Sequence, residues 1–218
     1  MNVISMRRLL ALPTWQLLLL FSLLDLLAVL LYGLYHRGVL ESSFFRLARE
    51  RGLGETIQYV KQLFVITMLF KWYKVRPARV LSGWIALFIL IVVDDSVGIH
   101  EEVGKWIEQA WPFPAVEGIR TKDLAELVSI IAFEGLTLLY VFGHFIKAPP
   151  DLRKVSVCLF LALCPLILCS LLLDLLARPL VEDLGEMISA SILLGCVHRL
   201  FRRHVMTGRE GLAPAETP

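Results

Sequence analysis

The strongest constraint on how this chain folds is a series of long apolar stretches along its 218 residues. A helix that crosses the hydrocarbon core of a bilayer needs roughly 20 mostly apolar residues. Six stretches meet or approach that length, at about 14–36, 56–73, 80–99, 123–146, 154–177 and 184–201. The pattern predicts an all-α integral membrane helical bundle with six transmembrane helices. Five is the alternative, because the second and last stretches are the weakest.

Composition agrees with a membrane protein and excludes other classes. Hydrophobic residues make up 57% of the chain, and the mean hydropathy of +0.69 is well above that of soluble proteins. A net charge of +2 and the lack of a basic stripe argue against a nucleic-acid partner, which leaves the lipid bilayer as the expected one. We expect one transmembrane domain over residues 1–203 and a disordered cytoplasmic tail over 204–218.

Loop charges predict the orientation of the chain. With six spans, thirteen lysines and arginines fall on one side of the membrane and eight on the other. Because cytoplasmic loops carry the excess of positive charge, both termini should be cytoplasmic. Lys61 and Gln62 interrupt the second apolar stretch, and we expect the long side chain of Lys61, which lies near the end of that stretch, to reach the interface.

Acidic residues inside the spans gather at the outer side in this orientation. Asp94 and Asp95 end the third span, and Glu182 and Glu186 begin the sixth, nearly ninety residues later. Ionisable residues within spans usually face the bundle interior and often serve function. Further acids lie at the outer side or deeper in the membrane: Glu55, Glu134, Asp174 and, near the middle of the first span, Asp25.

Carboxylates with one histidine are ligands for divalent metals such as manganese, iron, zinc, magnesium or calcium. The histidine here is His100, which joins the acids only if the helix bends at Gly98. We therefore predict a divalent-metal site at the extracytoplasmic side, either structural or catalytic, from Asp94, Asp95, His100, Glu101, Glu182 and Glu186. Asp25, Glu55, Glu134 and Asp174 are expected as supporting residues or a proton path.

Two other functions fit the same residues. A transporter or proton pathway would use the intramembrane acids Asp25 and Glu134. An assembly or scaffold protein would bind no metal, and its acids would pair with nearby basic groups. A metal-dependent enzyme acting on a lipid-type substrate would also fit the site, but no residue identifies a substrate, so enzymatic activity stays open.

Three segments together resemble a poorly characterised family of bacterial multi-pass membrane proteins. VDDSVGIHE is similar to its L-D-(D/E)-x4-H-E signature, ETIQYVKQL to its second-span opening, and VEDLGEM to its E-(E/D)-x-x-E segment. This chain has Val93 where leucine is usual and Asp183 where a second glutamate is usual. The resemblance implies a bacterial cytoplasmic membrane and adds Glu55 to the candidate residues. It implies no activity.

Overall fold

The fold is a bundle of helices, seen in a computed structural model that describes residues 8–47, 49, 51–111, 113, 120–173 and 179–206. Over those residues, all regular secondary structure is helical. The α-helices are α1 (Thr14–His36), α2 (Leu53–Val75), α3 (Arg79–Val97), α4 (Ile99–Ala110), α5 (Thr121–Ile130), α6 (Leu136–Phe145), α7 (Pro150–Ile167) and α8 (Pro179–Phe201).

Three π-helical segments lengthen these elements. Ile131–Gly135 joins α5 and α6 into one continuous helix, Leu168–Leu173 extends α7, and Arg202–Met206 extends α8. The result is six long helices whose positions follow the six predicted stretches. The last one continues three residues beyond the predicted domain boundary, and the rest of the predicted tail, 207–218, lies outside the described residues.

Four helices in the described part of the chain are long and apolar enough to cross a membrane. They are Thr14–His36, Arg79–Val97, Thr121–Phe145 and Pro150–Ser170. The other two long helices, α2 and α8, have 23 residues each but carry more polar side chains. The structure therefore has an all-α fold with four helices that qualify as spans, where the sequence predicted six.

The two polar helices, α2 and α8, pack extensively against each other. Gln58, Lys61 and Gln62 of α2 are all buried in this interior. The expectation that Lys61 reaches the interface is wrong: its ammonium lies 2.6 Å from Asp25 Oδ1 and donates to the Met187 carbonyl at 2.9 Å. Hydropathy indicates only how deep Lys61 lies along its helix. It does not show that Asp25 of α1 and Met187 of α8 supply the acceptors that offset the cost of burying the ammonium.

One end of the bundle, which we call the basic end, brings both ends of the described chain together. Arg202 donates to the Leu12 carbonyl, and Thr14 Oγ1 lies 3.0 Å from His198 Nδ1. Arg76 pairs with Asp151 across the α2–α3 and α6–α7 turns. The first and last long helices therefore begin and end on the same side, as an even number of crossings requires.

A short helix absent from the predicted pattern, α4, covers the opposite end. It packs on α5, whereas α3 packs on the later part of the same long helix. The contact is close at Gly104, where an added Cβ would come within 2.6 Å of Glu126 Cγ and 3.0 Å of the Glu126 backbone nitrogen. A side chain at residue 104 would separate α4 from α5, so glycine is required there.

Candidate metal centre

The site begins at a bend between α3 and α4. Gly98 adopts the left-handed conformation with φ 73° and ψ 41°, which favours glycine because it has no Cβ. The bend places His100 over the end of α3, where its backbone nitrogen donates to Asp94 Oδ1 at 2.8 Å. The ring nitrogen Nδ1 lies 2.9 Å from Asp94 Oδ2. The condition that the sequence set for His100 to join the acids is met.

A cavity of about 400 Å³ lies beside this bend. Its lining includes all six residues predicted as metal ligands: Asp94, Asp95, His100, Glu101, Glu182 and Glu186. Of the predicted supporting residues, Glu55 and Glu134 also line it. Residues from every long helix except α1 therefore meet in one space.

Asp94, Asp95 and His100 are the tightest group. One potential ligand atom from each lies within 4.8 Å of the others, a separation that a single metal ion can bridge. Asp94 is buried, while Asp95 is open to the cavity and His100 is partly buried. Because both Asp94 oxygens already contact His100, Asp94 is well suited to orient the imidazole, as carboxylates beside metal-bound histidines do.

A hydrogen-bond network fixes the end of α3 on which the two aspartates lie. The Tyr59 hydroxyl lies 2.8 Å from Glu55 Oε2 and 3.1 Å from the Asp95 carbonyl. Arg51 donates its backbone N–H to Glu55, and its guanidinium donates to the carbonyls of Ser96 and Val97. Carbonyls at a helix C-terminus lack partners within the helix, so Arg51 caps α3 at the cavity.

The long helix Thr121–Phe145 contributes Glu134 from its π-helical segment. Single-turn π segments interrupt regular helices at a cost and recur at functional sites, where they redirect a side chain. Electrostatic interaction links Glu134 with Asp94 and His100, and links Asp95 with Glu134 and Glu186. Glu134 of this helix thus lies near the Asp94–His100 pair, and Glu186 of α8 lies near Asp95.

Gln62 supplies a second, independent sign of a ligand. It is only 2% exposed and lines the cavity, yet its Oε1 finds no hydrogen-bond donor among the described residues. A buried polar atom without a partner costs free energy, so such atoms in native structures usually contact water or an ion. The sequence treated Gln62 only as an interruption of a weak span and missed its position.

Acidic groups far outnumber basic groups around the cavity. Ten acidic side chains line it against three basic ones, and each basic one is paired with an acid: His100 with Asp94, Arg120 with Asp123 and Lys122 with Glu126. Asp123 and Glu126 were not predicted as site residues.

The acids around His100 change its protonation. Burial disfavours the charged His100 imidazolium, but Asp94, then Asp95 and Glu126, raise the pKa of His100 to about 9. Even with His100 charged, the cavity keeps an excess of potential negative charge.

A comparison with protein families matches residues 60–200 to a family described as Domain of unknown function (DUF8692). The chain belongs to this family. The match agrees with the expected resemblance to a poorly characterised family and assigns no activity. No curated protein and no solved structure matches the chain.

One predicted supporting residue, Asp25, does not line the cavity. Asp25, which the family match leaves outside, pairs with Lys61 and accepts from the Ser191 hydroxyl at 3.0 Å, so it fastens α1 to α2 and α8. Asp25 is therefore committed to helix packing. Another predicted supporting residue, Asp174, lies within the residues that match the family but outside the described residues.

The left-handed conformation of Gly98 predicts a loss of stability when this glycine is replaced. Gly98→Ala should lower the free energy of unfolding by about 1–2 kcal/mol, because a Cβ is strained in the left-handed conformation. Equilibrium unfolding in mixed micelles measures this change. The control is Gly143→Ala, a helical position with no atom within 4 Å of an added Cβ, which should be neutral or slightly stabilising. Equal losses for both variants would show that the bend has no special requirement for glycine.

Proposed function

We propose that the cavity binds one divalent cation and that the protein is a membrane-embedded metalloprotein. The observation that carries this proposal is the convergence of Asp94, Asp95 and His100 within 4.8 Å in an acid-rich cavity. His100 and Asp95 are the ligands, Asp94 orients the imidazole, and Glu134 and Glu186 complete the carboxylate set. A mixed nitrogen and oxygen set suits manganese, iron or zinc.

The volume favours a site with a catalytic or ligand-binding role over a purely structural one. Structural metal sites are closed by protein ligands, whereas catalytic sites keep an open position. A cavity of about 400 Å³ has room for a small molecular group beside an ion. A bound cation would supply Lewis acidity, and the neighbouring carboxylates could hold or release a proton.

The transport alternative has less support. Below the cavity, toward the basic end, the interior is an apolar core that includes Phe64, Met68, Leu69, Phe88 and Leu159, all buried. A polar path from the cavity to the basic end would have to cross that core. The scaffold alternative would be favoured by basic partners for the acids, but the cavity has three basic side chains for ten acidic ones.

The same proposal includes the topology in the membrane. We propose that α2 and α8 also cross the bilayer, giving six spans, because the polar residues of α2 face the interior and not lipid. The basic end carries Arg76, Arg79, Arg153 and Arg202 and is proposed to be cytoplasmic in a bacterial inner membrane. The cavity then opens at the extracytoplasmic side.

Elemental analysis of the purified protein tests the cation site. Wild type exposed to manganese, iron and zinc and then dialysed should retain about one equivalent of metal per chain. Asp95→Asn should retain less, because it replaces a charged ligand at the cavity with a neutral amide. Glu102→Gln is the control, since Glu102 is exposed, pairs with Lys105 and does not line the cavity. Wild type that retains no metal would refute the proposal.

A further inference from the structure

One wall of the cavity is apolar, which a site for a hydrated ion alone does not need. Side chains from α3, α5 and α7 form this wall: Ile91, Leu127, Ile130, Leu163, Leu166 and Ile167. Seven of the ten acids lie on α2, the α3–α4 bend and α8, and the other three lie on the helix Thr121–Phe145. The cavity is thus amphiphilic, with both charged and apolar side chains in its lining.

The apolar wall lies between two helices that are loosely packed together. Over the described residues, the helix Thr121–Phe145 and α7 make few close contacts with each other. Ile130 on one helix and Ile167 on the other line the cavity and remain partly exposed. Their sequence neighbours Ile131 and Leu168 point outward and are each 59% exposed. At Ile130 and Ile167 the apolar wall of the cavity is therefore one residue away from the apolar outer surface of the bundle.

We propose that a gap between Ile130 and Ile167 admits the alkyl chain of a membrane lipid whose phosphate-bearing headgroup reaches the cation site. The inference rests on the proposed function, because the acid-rich cavity would repel a phosphate unless a cation lay between them. Divalent cations held by a few carboxylates complete their coordination with phosphate oxygens. The outer face of the helices that flank the gap is apolar, so a lipid reaches it from the bilayer without crossing water.

A basic group at the same mouth fits an anionic headgroup. Arg120 lines the cavity at the start of α5, and its side chain is 70% exposed while it pairs with Asp123. A guanidinium presents several donors and can contact a phosphate in addition to a carboxylate. The headgroup is therefore placed between the cation and Arg120, and the chain between Ile130 and Ile167.

The test uses the full-length protein in dodecyl maltoside micelles with Mn²⁺ bound, and two phosphates that differ only in having a chain. Dodecyl phosphate and inorganic phosphate are titrated, and the electron paramagnetic resonance spectrum of Mn²⁺ reports phosphate at the metal. Wild type should bind dodecyl phosphate at least about tenfold more tightly, because the chain contacts the apolar wall.

Variants of the gap separate this route from simple partition of dodecyl phosphate into micelles. Ile130→Trp and Ile167→Trp fill the gap and should weaken the binding of dodecyl phosphate by at least about tenfold. The affinity for inorganic phosphate should not change. Ile131→Trp and Leu168→Trp, one residue away and facing outward, are the matched controls and should bind as wild type does.

Each result decides between the two proposals. If Mn²⁺ binds but the Ile130→Trp and Ile167→Trp variants bind dodecyl phosphate like their controls, the lipid route is wrong and the cation site stands. The same conclusion follows if inorganic phosphate binds as tightly as dodecyl phosphate. If wild type binds no Mn²⁺, the cation site fails and the lipid inference fails with it.

Discussion

His100→Ala weakens Mn²⁺ binding by at least about 100-fold, because it removes a proposed metal ligand. Removing a group that only orients a ligand already lowers metal affinity by about 10- to 100-fold, and the loss of the ligand itself should be larger. His100 is the one histidine among the residues that line the cavity. Asp94 contacts both the imidazole Nδ1 and the backbone nitrogen of His100, and no second imidazole in this lining can replace the ring. Titration of Mn²⁺ followed by electron paramagnetic resonance gives the dissociation constant.

Two further variants give this prediction its controls. Asp94→Asn keeps the shape of the side chain but removes the charge that orients His100, so the affinity should fall by about 10- to 100-fold. His144→Ala changes a histidine near the basic end, whose Nδ1 lies 2.9 Å from the Tyr140 carbonyl, and should leave Mn²⁺ binding unchanged. If His100→Ala and His144→Ala bind Mn²⁺ equally well, His100 is not a ligand.

Lys61→Ala lowers the free energy of unfolding by about 3–5 kcal/mol, the loss that follows when one partner of a buried ion pair is removed. Lys61 is fully buried, and its ammonium contacts both Asp25 oxygens and the Met187 carbonyl. Its removal leaves the carboxylate of Asp25 without its cation and creates a cavity between α1, α2 and α8. Equilibrium unfolding in mixed micelles measures the loss.

A double substitution separates the charge effect from the packing effect. Lys61→Met together with Asp25→Asn removes both charges and keeps most of the volume, so it should recover the larger part of the lost stability. Metal binding should be intact in the double variant, since Asp25 and Lys61 do not line the cavity. A double variant no more stable than Lys61→Ala would show that the ion pair itself is required.

The helices and the gathering of the acids follow from information that is local in the sequence. Apolar length located the six long helices within a few residues, and loop charge placed Asp94 and Glu186 at one end although 91 positions separate them. Both inferences use only depth along a helix, which the rise of the α-helix fixes at about 1.5 Å per residue. Depth is therefore the part of the site that a single sequence carries.

The direction in which a side chain points, and the group with which it pairs, depend on neighbouring helices that a single sequence does not identify. The direction of His100 required the left-handed Gly98, which the sequence permits but does not demand. Lys61 was misplaced because its partners, Asp25 and Met187, come from two other helices. Gln62 was missed because a glutamine in a weak span looks like an interruption until the surrounding helices bury it.

The short helix α4 was missed for another reason. No helix was expected between the third and fourth apolar stretches, although Ile99, Val103 and Ile107 recur at a spacing of four, which is typical of an amphipathic helix. α4 packs against α5, and Gly104 allows the two helices to come into contact beside Glu126. This pair of helices covers the cavity on the side away from the basic end.

Pulsed electron paramagnetic resonance of Mn²⁺ bound to the protein identifies the ligand atoms themselves. With ¹⁵N-labelled histidine, wild type should show coupling of one imidazole nitrogen to the metal, and His100→Ala should show none. His144→Ala should retain the coupling. A spectrum of bound Mn²⁺ without nitrogen coupling in wild type, or an unchanged coupling in His100→Ala, would contradict a cation site built on His100 and its neighbouring aspartates.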